Sequence, residues 1–349
     1  MKIALLTIWH IGNYGAEMQT YATVKALQSL GHNVEVVNIR LTDVAHISLK
    51  GRIAKGISFF SPGERKMKSF WREYIPSTRR YRSLKQLQHY PPEADLYLVG
   101  SDQVWNPELT GDLAKVFFLD FGKSDVLRAS YASSFGTEQW TFPQIKDEVK
   151  ALLSSFGSIS CREQSGVDLL KREFSLDATM VVDPTMLFND YPELTGVVTE
   201  TNNLVYYPLG KEEPITSYCK GLANRLGMTA VNAQRTSQIL RKIVWQRNSP
   251  QEWICDIAGA RFVITPSFHG CVFSILYQRQ FAVVIQNQKR ATRIVNLLKS
   301  LGLENRVFSS FQEMDASKPW CQPIDYQKVN LKLEHLRAAS LNFLKSLAL

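Results

Sequence analysis

The sequence predicts an α/β protein of two doubly wound, Rossmann-like domains that face each other across a cleft. Three observations support this fold class. Short apolar strands alternate with amphipathic helices along the chain, which is the pattern of parallel sheets. The chain has 349 residues, more than one typical core holds. A short polar stretch, residues 188–193, separates two strand–helix series.

In the first series, the apolar stretch at 2–8 predicts a strand, and helical spacing at 16–30 predicts a helix that Gly31 ends. Further strands are expected at 33–39, 94–100, 127–136, 158–161 and 178–184. The last of these stops at Asp183-Pro184. We therefore expect an N-terminal domain of residues 1–187.

In the second series, strands are expected at 202–210, 229–232, 260–265 and 280–286. Helices are expected between them at 215–226, 250–258, 269–278 and 290–303. These elements predict a C-terminal domain of residues 194–323. Residues 324–349 contain a long amphipathic helix, which we expect to pack back as a strap.

Composition restricts the class of protein. The five cysteines and six histidines are scattered, without a CxxC pair or a Cys/His cluster, which argues against a disulfide framework and a metal site. No apolar run reaches the roughly 18–20 residues that span a bilayer. The apolar N-terminus is too short for a signal-peptide core. These features favour a cytoplasmic protein with reduced thiols.

The net charge of +9 is concentrated in a basic segment, residues 50–82. This segment has ten Lys or Arg residues, and its only acids are Glu64 and Glu73. Four aromatic residues are interleaved with the cations: Phe59, Phe60, Phe70 and Trp71. The segment is either a solvated insertion or a patch for an anionic membrane surface or a diphosphate-linked substrate. No nucleic-acid-binding motif accompanies it.

Ligands of doubly wound sheets bind beyond the carboxyl ends of strands, so the loops that follow strands are the candidate sites. After the first strand, Gly12 and Gly15 permit a tight turn, and Asn13, Tyr14 and Glu17 can hydrogen-bond hydroxyl groups. The alternative is a plain turn with an acidic first helical residue that favours the helix dipole.

Two further loops carry polar side chains. In "GSDQVWNP", Asp102 and Gln103 could bind hydroxyls and Trp105 could stack on a sugar, or the loop could be a turn with a core Trp. In "CREQSG", Arg162 could grip a carboxylate or phosphate, or pair with Glu163 or another acid.

The fourth loop, "VITPSFHG", places Ser267, His269 and Gly270 between a strand and a helix, a geometry that binds anions. From residue 257 to residue 303 there is no Asp or Glu. The same stretch contains six Lys or Arg residues: Arg261, Arg279, Lys289, Arg290, Arg293 and Lys299. This half of the chain is therefore predicted to bind an anionic ligand.

The motifs "GNYGAEMQTYATVKALQSLGH", "GSDQVWNP", "YASSFG", "CREQSG", "VVDPT" and "SFHG" occur in this order. Together they resemble the polysaccharide pyruvyl transferase family over about residues 1–307. The family is similar to GT-B glycosyltransferases in architecture. The resemblance implies transfer of the enolpyruvyl group of phosphoenolpyruvate to two hydroxyls of one sugar, giving a pyruvate ketal and phosphate. It implies no cofactor, because phosphoenolpyruvate is a co-substrate.

The resemblance also implies site residues. His269 would contact the phosphate of phosphoenolpyruvate, beside Ser267 and Gly270, while Arg162 and Lys289 would hold its phosphate and carboxylate. The loop with Asn13, Tyr14 and Glu17 would face the acceptor sugar. The composition of the second loop adds Gln103 and Trp105 as candidate acceptor contacts. His269, Glu17 and Asp102 are the predicted catalytic residues. Of these, Glu17 and Asp102 are the candidates for the base that deprotonates the sugar hydroxyls. Pro266 stands where many relatives have Asp, so an acid role at that position does not transfer to this chain. Glu17 stands where many relatives have an apolar residue, so its role does not follow from the resemblance.

The sequence thus predicts a pyruvyltransferase of bacterial surface polysaccharide biosynthesis, such as capsule or exopolysaccharide. Its partners would be phosphoenolpyruvate and a sugar acceptor, and the basic segment favours an acceptor linked to a lipid diphosphate at the inner face of the membrane. The alternative is a GT-B glycosyltransferase with a nucleotide-sugar donor. Many of those enzymes hold the ribose with a Glu in the C-terminal domain, and the acid-free stretch lacks one.

Overall fold

The computed structural model describes residues 1–9, 12–41, 61–208, 214–234, 237–239, 244–246, 248–285 and 288–347. The chain divides into two compact units. The first comprises Met1–Ile47, Trp71–Leu187 and His335–Leu349, as far as these ranges are described. The second comprises the described parts of Ser48–Phe70 and Phe188–Glu334.

The first unit is built on a five-stranded sheet of order β3-β2-β1-β4-β5, in which all neighbouring strands are parallel. Its elements are β1 (Lys2–Leu6), α1 (Tyr14–Ser29), β2 (Asn33–Ile39), the end of α2 (Pro62–Tyr74), β3 (Ser77–Tyr81), α3 (Leu84–His89), β4 (Leu96–Val99), α4 (Pro107–Thr110), β5 (Leu127–Ser130), α5 (Lys146–Leu153), β6 (Ser160–Cys161), α6 (Gln164–Leu169) and β7 (Thr179–Met180). Short β6 and β7 pair in parallel as a separate two-stranded ladder.

Isolated parallel bridges join that ladder to the main sheet beyond the ends of its strands. Asp102 pairs with Ser133, and Ser133 pairs with Cys161. The chain segments that follow β4 and β5 and the strand β6 therefore lie side by side at one edge. This edge is the carboxyl end of the parallel strands, where doubly wound sheets bind ligands.

Helix α1 is buried on nearly all sides, since its residues from Tyr14 to Val24 are all inaccessible. Its N-cap is Asn13, whose side chain accepts a hydrogen bond from the Gly15 amide at 2.9 Å. The helix is therefore fixed in its unit directly after the loop that follows β1.

The second unit repeats the same plan with the strand order β14-β13-β12-β8-β9, again entirely parallel. Its elements are the start of α2, α7 (Pro192–Thr195), β8 (Asn203–Tyr206), α8 (Ile215–Arg225), β9 (Thr229–Asn232), β10 (Ser237–Ile239), β11 (Val244–Gln246), α9 (Pro250–Ala258), β12 (Phe262–Thr265), α10 (Phe268–Leu276), β13 (Gln280–Val284), α11 (Gln288–Leu301), β14 (Val307–Phe308), α12 (Phe311–Ser317) and the start of α13 (Tyr326–Ser346). Strands β10 and β11 form an antiparallel hairpin.

The second half of α13 packs against the first unit. The Ser340 hydroxyl accepts a hydrogen bond from the Val182 amide at 2.9 Å, and Arg337 donates to the carbonyl of Met186 at 2.8 Å. Phe343 contacts the ring of Tyr131. These contacts place residues 335–347 in the unit that ends its main sequence at Leu187.

The two compact units do not coincide with the predicted domains at the basic segment, which lies wholly within the predicted N-terminal domain. Residues 61–70 belong to the second unit, where Lys66 pairs with Glu252 at 2.7 Å. Residues 50–60, including Phe59 and Phe60, lie outside the described part of the chain. The fold class itself, α/β with two Rossmann-like units, is confirmed. In the described ranges, no helix has the length and apolarity that crossing a membrane requires.

Candidate functional site

The loops after β4, β6 and β7 bring charged side chains together at the carboxyl edge of the first unit. Asp102 follows β4, Arg162 and Glu163 follow β6, and Asp183 follows β7. We call these four residues the Arg162 network. Backbone hydrogen bonds fix their spacing, because Ser134 donates to the carbonyl of Asp102 and Arg162 donates to that of Ser133.

Arg162 lies at the centre of the network. Its Nη1 donates to Oδ2 of Asp183 at 2.8 Å, its Nε lies 3.6 Å from Oε2 of Glu163, and its Nη2 lies 3.8 Å from Oδ1 of Asp102. Two of the carboxylates have further fixed partners. Asp183 also accepts hydrogen bonds from Thr185, and Glu163 accepts one from the Ser134 hydroxyl.

The electrostatics of this network keep the Arg162 guanidinium charged. Burial alone would lower the pKa of the Arg162 guanidinium, but Asp183, Glu163 and Asp102 outweigh burial and raise that pKa. The guanidinium stays charged, yet three carboxylates surround it and only 2% of its side chain is exposed. The arrangement matches the ion-pair alternative for Arg162. The contact of Arg162 with phosphoenolpyruvate that the resemblance implies stays a prediction.

Asp102 is the member of the network with the most exposed side chain, at 17%. Its backbone has φ of 77°, the left-handed region that few residues other than glycine adopt. Holding such a conformation costs on the order of 1–3 kcal/mol, and residues of this kind cluster at functional sites. Its Oδ1 accepts a hydrogen bond from the backbone amide of Gln103 at 2.9 Å.

Gln103 and Trp105 follow Asp102 in the same loop. Gln103 is half-buried and its side-chain oxygen accepts a hydrogen bond from Asn106 at 3.1 Å. Trp105 is completely buried, stacks on Phe118 and donates to the carbonyl of Phe117. A side chain in this position has no face left for a sugar. Trp105 is therefore a core residue, as the alternative reading of the loop holds, and we assign it no acceptor contact.

The loop after β1 has a similar division between exposed and buried residues. Asn13 is exposed at the N-cap of α1, whereas Tyr14 and Glu17 are buried. The carboxylate of Glu17 accepts hydrogen bonds from the indole nitrogen of Trp71 and, at 3.3 Å, from the Gly12 amide. Glu17 thus ties the loop to helix α2. Its 0% exposure removes the reason to consider it the base that meets an acceptor.

In the second unit, the loop after β12 holds the "SFHG" residues. Ser267 is the N-cap of α10 and accepts a hydrogen bond from the Gly270 amide at 3.3 Å. His269 lies in the first helical turn and is half-buried. A Cβ at Gly270 would lie 2.7 Å from the side-chain oxygen of Thr265, the last residue of β12. Glycine is therefore needed here for close packing of the helix start on the strand.

Lys289 lies in the first turn of α11, the helix that follows β13. Its side chain lies outside the described part of the structure. Because β12 and β13 are parallel neighbours, the starts of α10 and α11 follow adjacent strands at the same carboxyl edge. The backbones of Lys289 and His269 therefore lie at the same carboxyl edge of the second sheet. Both residues belong to the acid-free stretch.

Helix α2 carries the described helical part of the basic segment. Arg65 and Arg72 are exposed, while Phe70 and Trp71 are 0% and 7% exposed. Both rings are therefore part of the fold, and neither is exposed for contact with a membrane. Trp71 also packs edge-on against Trp9.

A surface cavity of about 450 Å³ lies elsewhere in the second unit. It is lined by residues that precede β8, β12 and β13, among them Arg261, Arg279 and Glu200. The two charged groups Arg279 and Glu200 pair at 2.8 Å. The cavity lies at the amino ends of the strands, the edge away from His269, and we assign it no role.

Sequence reasoning missed two structural partners, Asp183 and Trp71. The sequence signal for Asp183 is its place at the end of the apolar stretch "VVDPT". In the structure the residue is only 1% exposed, and a charged side chain this deeply buried needs a partner. Trp71 had no such signal, because its partner Glu17 is 54 positions away.

A model of the polysaccharide pyruvyl transferase family matches residues 13–287. No curated protein sequence matches the chain significantly. Among solved structures, the chain is similar to the glycotransferase of kitacinnamycin, with 11% identity, a TM-score of 0.56 and coverage of 97% of this chain and 95% of that one. It is also similar to the UDP-GlcNAc 2-epimerase from Neisseria meningitidis bound to UDP-GlcNAc, with 9% identity, a TM-score of 0.55 and coverage of 98% and 100%.

A third similar structure is the spinosyn forosaminyltransferase SpnP, with 13% identity, a TM-score of 0.50 and coverage of 97% of this chain and 95% of that one. Identities this low show a common fold, and the glycosyltransferases among these structures place the chain in the GT-B class of folds. The family model covers most of the chain and agrees with the ordered motifs. The protein therefore belongs to the polysaccharide pyruvyl transferase family.

Proposed function

We propose that this protein transfers the enolpyruvyl group of phosphoenolpyruvate to two hydroxyls of an acceptor sugar, forming a pyruvate ketal and releasing phosphate. The observation that carries the proposal is the family match over residues 13–287. Three carboxylates surround Arg162 in the first unit, and residues 257–303 of the second unit contain no acid. This difference supports a division of substrates between the units.

The second unit is the proposed donor side. Phosphoenolpyruvate carries a phosphate and a carboxylate, so its site needs cationic groups and no nearby acids. His269 and Lys289 begin helices after adjacent strands, and no Asp or Glu occurs between residues 257 and 303. Helix N-termini add positive potential to such an edge. We propose that His269 contacts the phosphate, that Lys289 holds the second anionic group, and that Ser267 and Gly270 shape the loop.

The first unit is the proposed acceptor side. Its carboxyl edge carries an excess of carboxylates around Arg162, which suits neutral hydroxyl groups better than an anion. Asn13, Gln103 and Asp102 are the predicted site residues in this unit that are not fully buried. We propose Asp102 as the base that accepts an acceptor proton, and Asn13 and Gln103 as groups that hydrogen-bond the sugar.

The reaction has a simple atomic balance. The first hydroxyl loses its proton as its oxygen bonds to C2 of phosphoenolpyruvate, and the methylene carbon C3 gains a proton and becomes a methyl group. The oxygen of the second hydroxyl then replaces the phosphate at C2, and its proton leaves with the departing phosphate. The bond between C2 and the phosphate oxygen breaks, and phosphate leaves with the bonding electrons. Cationic groups at the donor side stabilise the charge on that leaving group.

The alternative is transfer of a sugar from a nucleotide sugar, which the GT-B fold also accommodates. The epimerase structure similar to this chain binds UDP-GlcNAc, but its 9% identity shows only a common fold. Residues 257–303 of the second unit contain no acidic residue that could hold the ribose of a nucleotide sugar. Calorimetric titration with phosphoenolpyruvate and, separately, with UDP-sugars distinguishes the two functions.

We further propose that the acceptor is linked to a lipid diphosphate in bacterial surface polysaccharide biosynthesis, and that the protein acts at the cytoplasmic face of the membrane. The support is the charge of the basic segment, whose Arg65 and Arg72 are exposed on α2. Basic residues near an anionic surface contribute roughly 1 kcal/mol each to binding.

The proposed function is tested by incubating the pure protein with phosphoenolpyruvate and a panel of sugar acceptors, both free and lipid-diphosphate-linked. Acceptor-dependent phosphate release together with a product carrying the added pyruvate mass supports it. Hexose addition from a UDP-sugar, with no reaction of phosphoenolpyruvate, would establish the alternative.

A further inference from the structure

One edge of the first sheet carries a basic surface that takes no part in the proposed reaction. It consists of β3, the turn after it and the short helix α3 with its C-cap, residues 77–90. Strand β3 is the last in its sheet, and among the described strands only β2 pairs with it. We call residues 77–90 the β3 surface.

The charges on the β3 surface are all of one sign. From residue 74 to residue 92 the sequence contains no Asp or Glu. The four Lys and Arg residues of this stretch are all exposed: Arg79, Arg80, Arg82 and Lys85. Like charges this close repel one another, and an anionic partner relieves that repulsion. The surface therefore favours a partner with negative charge.

Tyr90 adds an exposed aromatic ring beside these cations. The residue is 54% exposed. The Arg79 guanidinium lies over its ring, 5.1 Å from the centroid, and over the ring of Tyr81 at 5.3 Å. Nη2 of Arg79 also donates to the backbone carbonyl of Tyr90 at 3.1 Å. These contacts hold a cation and an exposed ring together at one point of the surface.

Protection of the sheet edge explains only part of this composition. Basic residues on an edge strand discourage pairing with another strand, and Arg79 and Arg80 lie on β3 itself. Lys85 lies on α3, where it has no such role, and the exposed ring of Tyr90 adds apolar surface that edge protection does not need. These two residues point to a binding role in addition to edge protection.

We propose that the β3 surface binds the headgroups of an anionic membrane, with Arg79, Arg82 and Lys85 on lipid phosphates and the Tyr90 ring at headgroup level. Arginine binds phosphate through parallel N–H donors, and tyrosine is enriched at membrane interfaces because its ring is apolar and its hydroxyl polar. The inference rests on the proposed function and deepens it, because it names the surface of the first unit that meets the membrane of a lipid-linked acceptor.

An acidic peptide that extends the sheet is a less suitable partner. Such a peptide hydrogen-bonds to a regular strand edge. Val36 pairs with Ser77 and Asn38 with Arg80, so β3 has one residue more than β2 between these pairs, which is a bulge. Pro76, directly before β3, also lacks a backbone donor. A membrane surface requires no strand register.

The test measures co-sedimentation of the pure protein with vesicles of phosphatidylcholine alone and of phosphatidylcholine with phosphatidylglycerol, at low and high salt. Neither phosphoenolpyruvate nor an acceptor is present. Wild type should bind the anionic vesicles at low salt. The triple variant Arg79→Ser, Arg82→Ser and Lys85→Ser should have a partition coefficient about a hundredfold lower, since each basic residue near an anionic surface contributes about fivefold.

The matched control removes three exposed lysines from other elements of the same unit, by the changes Lys150→Ser, Lys171→Ser and Lys345→Ser. It lowers the net charge equally and should stay within about threefold of wild type, because salt screens charges far from the membrane.

Two further variants make the test more specific. Tyr90→Ser keeps the charge and should weaken binding by nearly the same factor at low and high salt, since an apolar contact is not screened. Should the triple variant fail to fold, Arg82→Ser with Lys85→Ser replaces it, with an expected loss of about 25-fold by the same reasoning.

Wild type that stays in the supernatant with anionic vesicles at low salt would overturn the inference, as would equal losses in the triple variant and the lysine control. Binding of Tyr90→Ser at the wild-type level would overturn it too, and so would binding of wild type to a mixed-sequence RNA but not to vesicles. All these results are independent of catalysis. Absence of pyruvyl transfer to a lipid-free acceptor by wild type would instead contradict the proposed function.

Discussion

The buried carboxylate of Glu17 offers a prediction that separates a structural role from a catalytic one. It accepts one hydrogen bond from the indole of Trp71 and one from the amide of Gly12. The conservative change Glu17→Gln keeps the volume but replaces one acceptor oxygen with an amide NH2 group that donates. One of the two donors then faces another donor in a site with no exposed surface.

The magnitude follows from that unsatisfied contact. Leaving a buried donor without its acceptor costs about 1–3 kcal/mol. We therefore expect Glu17→Gln to reduce the free energy of unfolding by roughly that amount. For units of this size, each kcal/mol lowers the melting temperature by about 2–4 °C.

The assay is chemical and thermal unfolding of four proteins: wild type, Glu17→Gln, Trp71→Phe and the double variant. Phe keeps an aromatic ring against Trp9 but removes the indole donor. In the Trp71→Phe background, Glu17→Gln should destabilise the protein less, with a coupling of about 0.5–3 kcal/mol. The exposed acid Glu35 provides the control, because Glu35→Gln should change stability by no more than about 0.5 kcal/mol.

Wild-type stability in Glu17→Gln, combined with a collapse of turnover, would refute this reasoning and restore Glu17 as a candidate base. Additive stability losses in the double variant would show that Glu17 and Trp71 do not stabilise each other.

Three further predictions concern the donor loop and helix α2. His269→Ala should reduce turnover at least a hundredfold while the circular dichroism spectrum and melting temperature stay near wild type, and wild-type turnover in a pure sample would exclude the assigned role. Gly270→Ala should also reduce turnover, because the new Cβ would lie 2.7 Å from the side-chain oxygen of Thr265 and push the start of α10 away from β12. A crystal structure of this variant with an unmoved helix start would contradict the prediction. The double change Arg65→Ser and Arg72→Ser should weaken co-sedimentation with anionic vesicles about tenfold or more, since two basic residues contribute roughly 1 kcal/mol each. Failure of wild type to sediment even at low salt would make the exposed basic residues a solvated surface.

Much of the fold could be predicted from periodicity. The strand at 33–39 and the helix at 250–258 coincide with β2 and α9, since their apolar residues repeat with the period of a strand and of a helix. Strand β3 was missed because its sequence, "STRRY", is polar. It is an edge strand with an exposed basic face and buries mainly Tyr81, so no apolar alternation marks it.

The site could be predicted less completely, because burial depends on the tertiary packing. The loop positions of Asp102, Arg162 and His269 follow from strands that end before them, and the structure puts all three at carboxyl edges. The sequence could not tell which side chains remain exposed. Trp105 and Glu17 look like exposed loop or helix-start residues, yet partners distant in sequence bury both.

The central claim is that phosphoenolpyruvate is the donor. The most direct measurement is mass spectrometry of a lipid-diphosphate-linked sugar acceptor after incubation with phosphoenolpyruvate and either wild type or His269→Ala. The account predicts that wild type adds one pyruvate ketal to the sugar, with one phosphate released per ketal, and that His269→Ala adds almost none. Sugar transfer from a nucleotide sugar, with phosphoenolpyruvate left intact across the full acceptor panel, would contradict it.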